Sequence, residues 1–322
     1  MTRLITADLH FSENSRDGYR FRLFKTLRAL IKKYTVEELL ILGDLTEAKD
    51  NHGADLVNRI VDELAQLAQQ VRIIVLRGNH DLQGSHAPFF QFLYNIAGLS
   101  YISTPQRIGD DLFLPHTRNW EKDWKDVDFD GVRFIYTHNT FAGARGENGA
   151  ALEGFAAPRG PRVISGDVHV PQRFDNVIYC GAPFHIDFGD RYQPRLLLQY
   201  GEDLAGLKSI PVVGPQKQLI TLKSGGTADF TDVRPGDILR IRIPIARKDY
   251  AHWPELCQTT REVATGYGFI VDSIQPLVIE GPNNPTPRRI KPAQSDEEIL
   301  REYGQSQSLE ERTIKVGLEL LK

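Results

Sequence analysis

Apolar residues in the first two hundred positions alternate between two spacings. Short unbroken runs, RLIT at 3–6, ELLIL at 38–42 and RIIVL at 72–76, have the length and branched-aliphatic content of buried strands. Between them, Phe24, Leu27, Leu30, Ile31 and Tyr34 recur at three- and four-residue intervals, which predicts a helix over 19–34. Leu56, Val57, Ile60, Val61, Leu64 and Leu67 mark the next helix in the same way. The order β-α-β-α-β builds an α/β sheet, whose loops at the strands' C-terminal ends are the usual place for function. Later runs, VRFIYT (132–137), RVIS (162–165), NVIYCG (176–181) and RLLLQY (195–200), predict more strands with fewer helices between them.

The character of the chain changes near residue 201. LKSIPVV, KQLITL and DILRIRIPI predict strands, 253–266 predicts a helix, and GFIVDSIQPLVIE predicts a final strand. This reads as a small appended domain containing a β-α-β unit. Beyond the Pro-rich EGPNNPTPRRIKP, two short helices are expected. Each opens with a capping box, Ser295 with Glu298 and Ser308 with Glu311. The predicted organisation is a first domain over 1–200, a second over 201–292 and a helical tail over 293–322. No internal repeat or low-complexity tract is evident.

Composition narrows the class without naming a function. A chain of 322 residues with 41% hydrophobic and 25% charged residues suits a globular protein with a sizeable core. No apolar run approaches the ~18–20 residues that a membrane helix needs. The opening MTRLITADLHF turns acidic too soon for a signal peptide. Only Cys180 and Cys257 are present, so no disulfide framework is expected and a cytoplasmic enzyme is the default. The net charge of −3 gives no general attraction to nucleic acid. Basic residues are nevertheless uneven: Arg22, Lys25, Arg28 and Lys32 lie at near-helical spacing, and PRRIKP at 287–292 forms a second cluster. Each is either a solvated face or a surface for DNA phosphates.

The strand ends carry polar residues of one chemical kind. Asp8 and His10 follow the first strand, Asp44 the second, and Asn79, His80 and Asp81 the third. His138 follows RFIYT, and Asp167 and His169 follow RVIS. Singly, each is an ordinary turn or cap. Together, five strand ends converge on carboxylate, imidazole and carboxamide, the oxygen and nitrogen donors that suit manganese, iron, zinc or magnesium.

DLH, GDL, GNHD, the lone His138 and GDVH resemble, in order, the five signature blocks of the calcineurin-like metallophosphoesterases. The resemblance implies a four-layer α/β fold, a β-sandwich flanked by helices, here with a small α+β C-terminal capping domain. It also implies two divalent metal ions about 3.5–4 Å apart that activate a hydroxide for in-line attack on phosphorus. By position, Asp8, His10 and His169 would hold the first metal, Asp44 would bridge, and Asn79 and His138 would hold the second. His80 would stay off the metals and protonate the leaving oxygen, with Asp81 as its orienting partner. One block departs from the pattern: Asp167 stands where the family usually has a histidine on the second metal. A carboxylate there favours manganese or magnesium over zinc, with iron also compatible.

Within the superfamily, GDLTEAKDNHG and Asn-His-Asp are unlike the protein Ser/Thr phosphatases. SGDVHVPQRFDNVIYCGAPFHIDFGD (165–190) is more similar to the SbcD-type DNA repair nucleases, including phage members. That likeness implies a manganese-dependent DNA exo- or endonuclease, working as a homodimer with an SbcC-type ATPase. The alternative is a small-molecule or cyclic-nucleotide phosphodiesterase of the same superfamily. Glu47 stands where the nucleases often have a histidine on the phosphodiester, and His52 is a candidate replacement. Further candidate substrate contacts are His116 and Arg118, with Trp120 and Trp124 for base stacking, and Arg145 in a Gly-rich segment. His185 is expected to be structural or to lie behind the site.

Overall fold

The computed structural model describes residues 1–49, 51–83, 87–201, 203–223, 230, 232–279, 300, 301, 303, 305 and 311–319. PRRIKP, Ser295, Glu298 and Ser308 lie outside the described residues. The chain divides into two compact units, Met1–Ile245 with Ala251–Leu277, and Ala246–Tyr250 with Val278–Lys322. The second unit includes the helix Glu311–Glu319, in which Ile314 and Leu318 are buried. The first unit holds the α-helices between Arg22 and Gly266 and nearly all of the strand residues.

Its strands run, in chain order, β1 (Arg3–Thr6), β2 (Glu38–Leu42), β3 (Arg72–Leu76), β4 (Leu82–Gln83), β5 (Ala87–Pro88) and β6 (Leu99–Ile102). They continue as β7 (Gln106–Ile108), β8 (Asp111–Leu114), β9 (Phe134–Thr137), β10 (Arg162–Ser165), β11 (Gln172–Phe174) and β12 (Val177–Tyr179). The last are β13 (Arg195–Tyr200), β14 (Gly206–Pro211), β15 (Lys217–Thr221), β16 (Ile238–Ala246) and β17 (Ile270–Ile279). The helices are α1 (Arg22–Tyr34), α2 (Ala54–Ala68), the one-turn α3 (Trp120–Asp123) and α4 (Trp253–Gly266).

Two six-stranded sheets form a sandwich, ordered β14-β13-β1-β2-β3-β6 and β11-β12-β10-β9-β8-β7. Each has four parallel strands, β1-β2-β3-β6 and β8-β9-β10-β12, bordered by antiparallel ones. The tiny pair β4-β5 stands apart. Alternation along the strands explains why their runs are apolar throughout. Leu40, Leu42, Ile74 and Leu76 pack inward with Phe113, Tyr136, Ile164 and Ile178 of the facing sheet. Leu39, Ile41, Ile73 and Val75 face the other way, onto Leu27 and Ile31 of α1 and Ile60 and Leu64 of α2. The outer face of the second sheet packs with Trp124, Phe141, Ala144 and Val168, which come from α3's C-terminus and long connections. The α/β fold class and helix-flanked sandwich expected from the sequence are therefore present.

Details differ instructively. The periodic stretch from 19 starts as a 3-10 helix, Ser15–Phe21, whose first turn is capped by the Asn14 side chain accepting from Arg16 N at 3.1 Å. Along the basic stripe on α1, Lys25 and Lys32 are exposed, and Arg28 pairs with Glu63 of α2 at 2.5 Å. Strand β14 pairs along its whole length with β13, so the chain leaves the first sheet only after Pro211, not at 200. A separate three-stranded sheet, β15-β16-β17, then packs with α4 through Leu239, Ile241, Ile243 and Ala264. Cys180 and Cys257 are both free. Among the described residues no helix is long and apolar enough to cross a membrane.

A buried charge network ties the two sheets at the N-terminal ends of their strands. Arg3 of β1 pairs with Glu38 of β2 and with Asp111 of β8, each at 2.6 Å. It also donates to the Tyr136 hydroxyl of β9 at 2.8 Å, and that hydroxyl donates to Gln199 of β13 at 2.6 Å. Burial alone would favour a neutral Arg3, but Tyr136, Asp111 and Glu38 hold it firmly protonated. Arg3→Ala would leave Asp111 unpaired and Glu38 held by Arg72 alone, at a cost of about 3–5 kcal/mol. The expected outcome is a clearly lower urea midpoint with an unchanged m-value; a midpoint within error of the parent would count against the network as a clamp.

Candidate metal centre and its cleft

At the opposite edge, the parallel strands of both sheets end together, and their polar turns interlock. Asp8 N donates to Gly43 O at 3.1 Å, His10 N to Asp44 O at 3.0 Å and Phe11 N to Leu45 O at 2.9 Å. The turns are sharp: Asp8 (φ 55°), His10 (φ 43°), Asp44 (φ 54°) and Asp167 (φ 76°) all hold the left-handed conformation. Non-glycine residues avoid that region unless surrounding structure enforces it, and such strain concentrates at functional sites.

His138 sits at the centre and is fully buried. Its Nδ1–H donates to the Leu42 carbonyl at 2.6 Å, which ties the second sheet to the first. The ring's other nitrogen, Nε2, points at Asp44 Oδ2 (3.3 Å), Asp8 Oδ1 (3.9 Å) and Asp167 Oδ1 (3.9 Å). The glycines of the two Gly-Asp turns make room for this ring. A Cβ on Gly166 would lie 2.6 Å from His138 Nδ1 and 2.5 Å from Leu42 O, and one on Gly43 would collide with the same nitrogen. Asp167 also joins the sheets, its N–H donating to Asp8 Oδ1 at 3.1 Å while its own Oδ2 accepts from Thr140 at 2.6 Å.

These residues fit a pair of divalent cations. Oxygen and nitrogen atoms of Asp8, His10 and His169 lie within 4.8 Å of one another, as do those of Asp8, Asp44 and His138 and those of His10, Asp44 and His80. Asp8 Oδ2 and His10 Nε2 are buried without a hydrogen-bond partner. The inward atom of the Asn79 carboxamide is 3.1 Å from Asp44 Oδ2 and 3.0 Å from His138 Nε2. With its oxygen inward it meets only acceptors, an arrangement that a cation resolves and that an inward NH2 would otherwise satisfy.

Electrostatics show the same demand for positive charge. Burial raises the Asp8 pKa, helped by Asp44 and opposed by His138 and His169. Burial also works on Asp44, but His138, His10 and His80 outweigh it and hold that carboxyl well below its usual range. Burial disfavours protonation of His138, yet the carboxylates around it win and raise its pKa well above the ordinary value. His169 behaves likewise: against burial, Glu147 at 3.8 Å, Asp8 and Asp190 raise it to about 9.

Several expectations are corrected. Asp81 does not orient His80. It is buried, and its carboxylate accepts from Gly78 N (2.7 Å), Asp44 N (3.0 Å) and Leu45 N (3.0 Å), clamping two signature blocks together. Burial and Asp44 push its pKa up to about 6. The His80 ring is held instead by the Glu47 carbonyl, 2.6 Å from Nδ1, and His80 N donates to Asp44 Oδ1 at 2.9 Å. Glu47 borders the cleft, but its carboxylate is 2.9 Å from His10 Nδ1, so it braces two histidines. His52 hydrogen-bonds Thr46 at 2.7 Å and stacks on Phe89, and does not line the cleft. Arg145 is exposed and bonds within its own segment, to Gly149 O at 2.8 Å. Trp124 belongs to the core of the second sheet and Trp120 is exposed. His185 is structural, both ring nitrogens facing carbonyl oxygens, Tyr192 O at 2.8 Å and Lys217 O at 3.2 Å.

The centre borders two depressions. A cleft of about 460 Å³ includes His10, Asp44, Asn79, His80, Asp167 and His169 and reaches Lys217 and Arg240 of the three-stranded sheet. A groove of about 340 Å³ runs past His116, Arg118 and Thr140, and Asp167 lines it too. His116 Nδ1 donates to His138 O at 3.0 Å, and burial lowers its pKa to about 4. Sequence reading missed the cleft's basic wall of Arg16, Arg20, Lys217 and Arg240, which no local motif marks.

If Asp81 is a clamp, Asp81→Ala leaves three buried N–H groups without acceptors, costing roughly 1–3 kcal/mol each. The expected result is a lower melting temperature together with weaker binding of divalent metal. An unchanged melting temperature with lost turnover would restore a chemical role.

The profile of the calcineurin-like phosphoesterases matches residues 1–171. Among solved structures, the chain is similar to the nuclease MPE of Pseudomonas putida, at 13% identity and a TM-score of 0.33 over 70% of this chain and 82% of that one. It is similar also to a cold-active protein tyrosine phosphatase, at 13% identity and a TM-score of 0.32 over 67% and 79%. No curated protein matches. With the matched segment covering more than half of its length and ending just past His169, the chain belongs to the calcineurin-like phosphoesterases, hydrolases of phosphoester bonds that generally bind two divalent metals.

Proposed function

We propose that this protein is a two-metal phosphodiesterase acting on DNA, a nuclease of the SbcD type. The observation that carries this reading is the pair of depressions sharing Asp167. A phosphodiester has a group to place on each side of phosphorus, whereas a monoester has one. The basic wall suits a polyanion.

Asp8, His10 and His169 would hold one cation, Asn79, His138 and Asp167 the other, and Asp44 both. When bound, such a pair supplies Lewis acidity at phosphorus and a water acidified towards neutral pH. The remaining work falls to the chain. Asp81 fixes the turn that presents Asp44. Leu42 O fixes the His138 tautomer, and Glu47 O does the same for His80, leaving His80 Nε2 to face the cleft. Burial lowers the His80 pKa, and a bound phosphate raises it again, so His80 takes up a proton with substrate and delivers it to the leaving oxygen. The hard ligand Asp167 favours manganese, with magnesium next. An SbcC-type ATPase partner, a homodimer and a cytoplasmic setting belong to the same proposal and rest on the sequence resemblance.

Purified protein with manganese should cut linear DNA, double- or single-stranded, and also hydrolyse bis-p-nitrophenyl phosphate. Turnover of bis-p-nitrophenyl phosphate or cyclic dinucleotides with none on any DNA would sink the nuclease reading in favour of a small-diester enzyme. His80→Ala should keep its metal content and lose roughly 10²–10⁴-fold in turnover. Loss of metal from that variant would make His80 a ligand instead.

A further inference from the structure

Asp272 of β17 occupies the wall of the metal cleft, where it is shared by two arginines from distant parts of the chain. Arg16 Nη1, from the 3-10 helix before α1, donates to Asp272 Oδ1 at 2.5 Å and to its backbone carbonyl at 2.7 Å. Arg240 Nη2 of β16 donates to Asp272 Oδ2 at 3.3 Å, and Ser273 donates to the same oxygen at 3.1 Å. Burial would raise the Asp272 pKa, but Arg16, Ser273 and Arg240 hold it below its usual value. The other cations of the wall are engaged elsewhere. Lys217 pairs with Asp17 at 3.1 Å and donates to Ile186 O at 3.1 Å, and Arg20 pairs with Asp17 at 3.6 Å and donates to His10 O.

We propose that Asp272 is a latch that stands in for a nucleic-acid phosphate, and that Arg16 and Arg240 take a non-scissile backbone phosphate of the substrate when it lets go. The inference rests on the nuclease reading. Two guanidinium groups converging on one carboxylate can converge equally on a phosphate, since the guanidinium matches both anions. Arg240 Nε is buried without a hydrogen-bond partner among the described residues. Phe188 keeps that guanidinium in the wall when the carboxylate leaves, with Arg240 Cζ 4.1 Å from the ring centroid. Asp17, Asp187 and Asp272 also line the cleft, and none of them is a candidate metal ligand. A diester too short to span from the candidate ligands to this pair would not feel it, so the latch would discriminate by substrate length.

The test uses wild type, Arg16→Ala/Arg240→Ala and Asp272→Asn with manganese, on a labelled single-stranded oligonucleotide and on bis-p-nitrophenyl phosphate. Oligonucleotide binding without cleavage is followed by anisotropy. Loss of two charge-assisted contacts should raise the oligonucleotide KM of the double variant about 10–100-fold, with kcat/KM for the small diester within about twofold. Asp272→Asn should lower the oligonucleotide KM several-fold, and the double variant should show a shallower dependence on salt. Equal losses on both substrates, or unchanged KM in both variants, overturn the latch while leaving the nuclease reading intact. If the double variant does not fold, Asp272→Asn alone decides: an unchanged or higher oligonucleotide KM overturns the proposal. A wild type that hydrolyses the small diester but neither cuts nor binds the oligonucleotide removes both readings together.

Discussion

Three carboxylates, Asp8, Asp44 and Asp167, converge around one buried imidazole, and this concentration of negative charge is the constraint to which the structure answers. Left without positive partners, such a cluster is costly, because like charges in a buried site repel with little screening. His138, His10 and His169 surround it, and the raised pKa values of His138 and His169 report how strongly the site demands cations. The left-handed turns at Asp8, His10, Asp44 and Asp167 are strain that the surrounding bonds hold in place. Asp81 is the clearest of those supports, since one buried carboxylate locks the second signature block to the third through three backbone donors.

The same logic explains how two sheets with mostly aliphatic inner faces keep a fixed relation. Aliphatic packing between them is strong but weakly directional. Direction comes from the two edges. At the N-terminal ends of the strands, Arg3 binds carboxylates and a hydroxyl from both sheets. At the C-terminal ends, His138 to Leu42 and Asp167 to Asp8 make the join. The metal centre is thus built on a seam that is pinned at both ends, as a site needing sub-ångström placement of ligands requires.

What the centre faces is a separate matter from what it is. The three-stranded sheet brings Lys217, Arg240 and Asp272 to a cleft whose floor is the ligand cluster. Chemistry at the floor is that of the family. Selection of substrate would then fall to the walls, where the cations are matched by carboxylates.

The convergence of the candidate ligands was legible in the sequence because each follows a strand, and parallel strands deliver their C-terminal turns to one edge by geometry alone. Asp8, His10, Asp44, Asn79, His138, Asp167 and His169 are brought together where that rule puts them. The strand and helix pattern was legible for the same reason, since periodicity records which faces are buried. Roles that depend on where a side chain points were not. Asp81 follows His80 in sequence, yet it turns to the backbone of Asp44 and Leu45, and Glu47 takes its place at the ring. The basic stripe on α1 was visible in the sequence, whereas Arg16 and Arg240, more than two hundred residues apart, meet at Asp272 in the cleft only through the fold. Local spacing determines which residues share an element's face; only tertiary structure decides which elements meet. The wall of this site is made of residues that share nothing but that meeting.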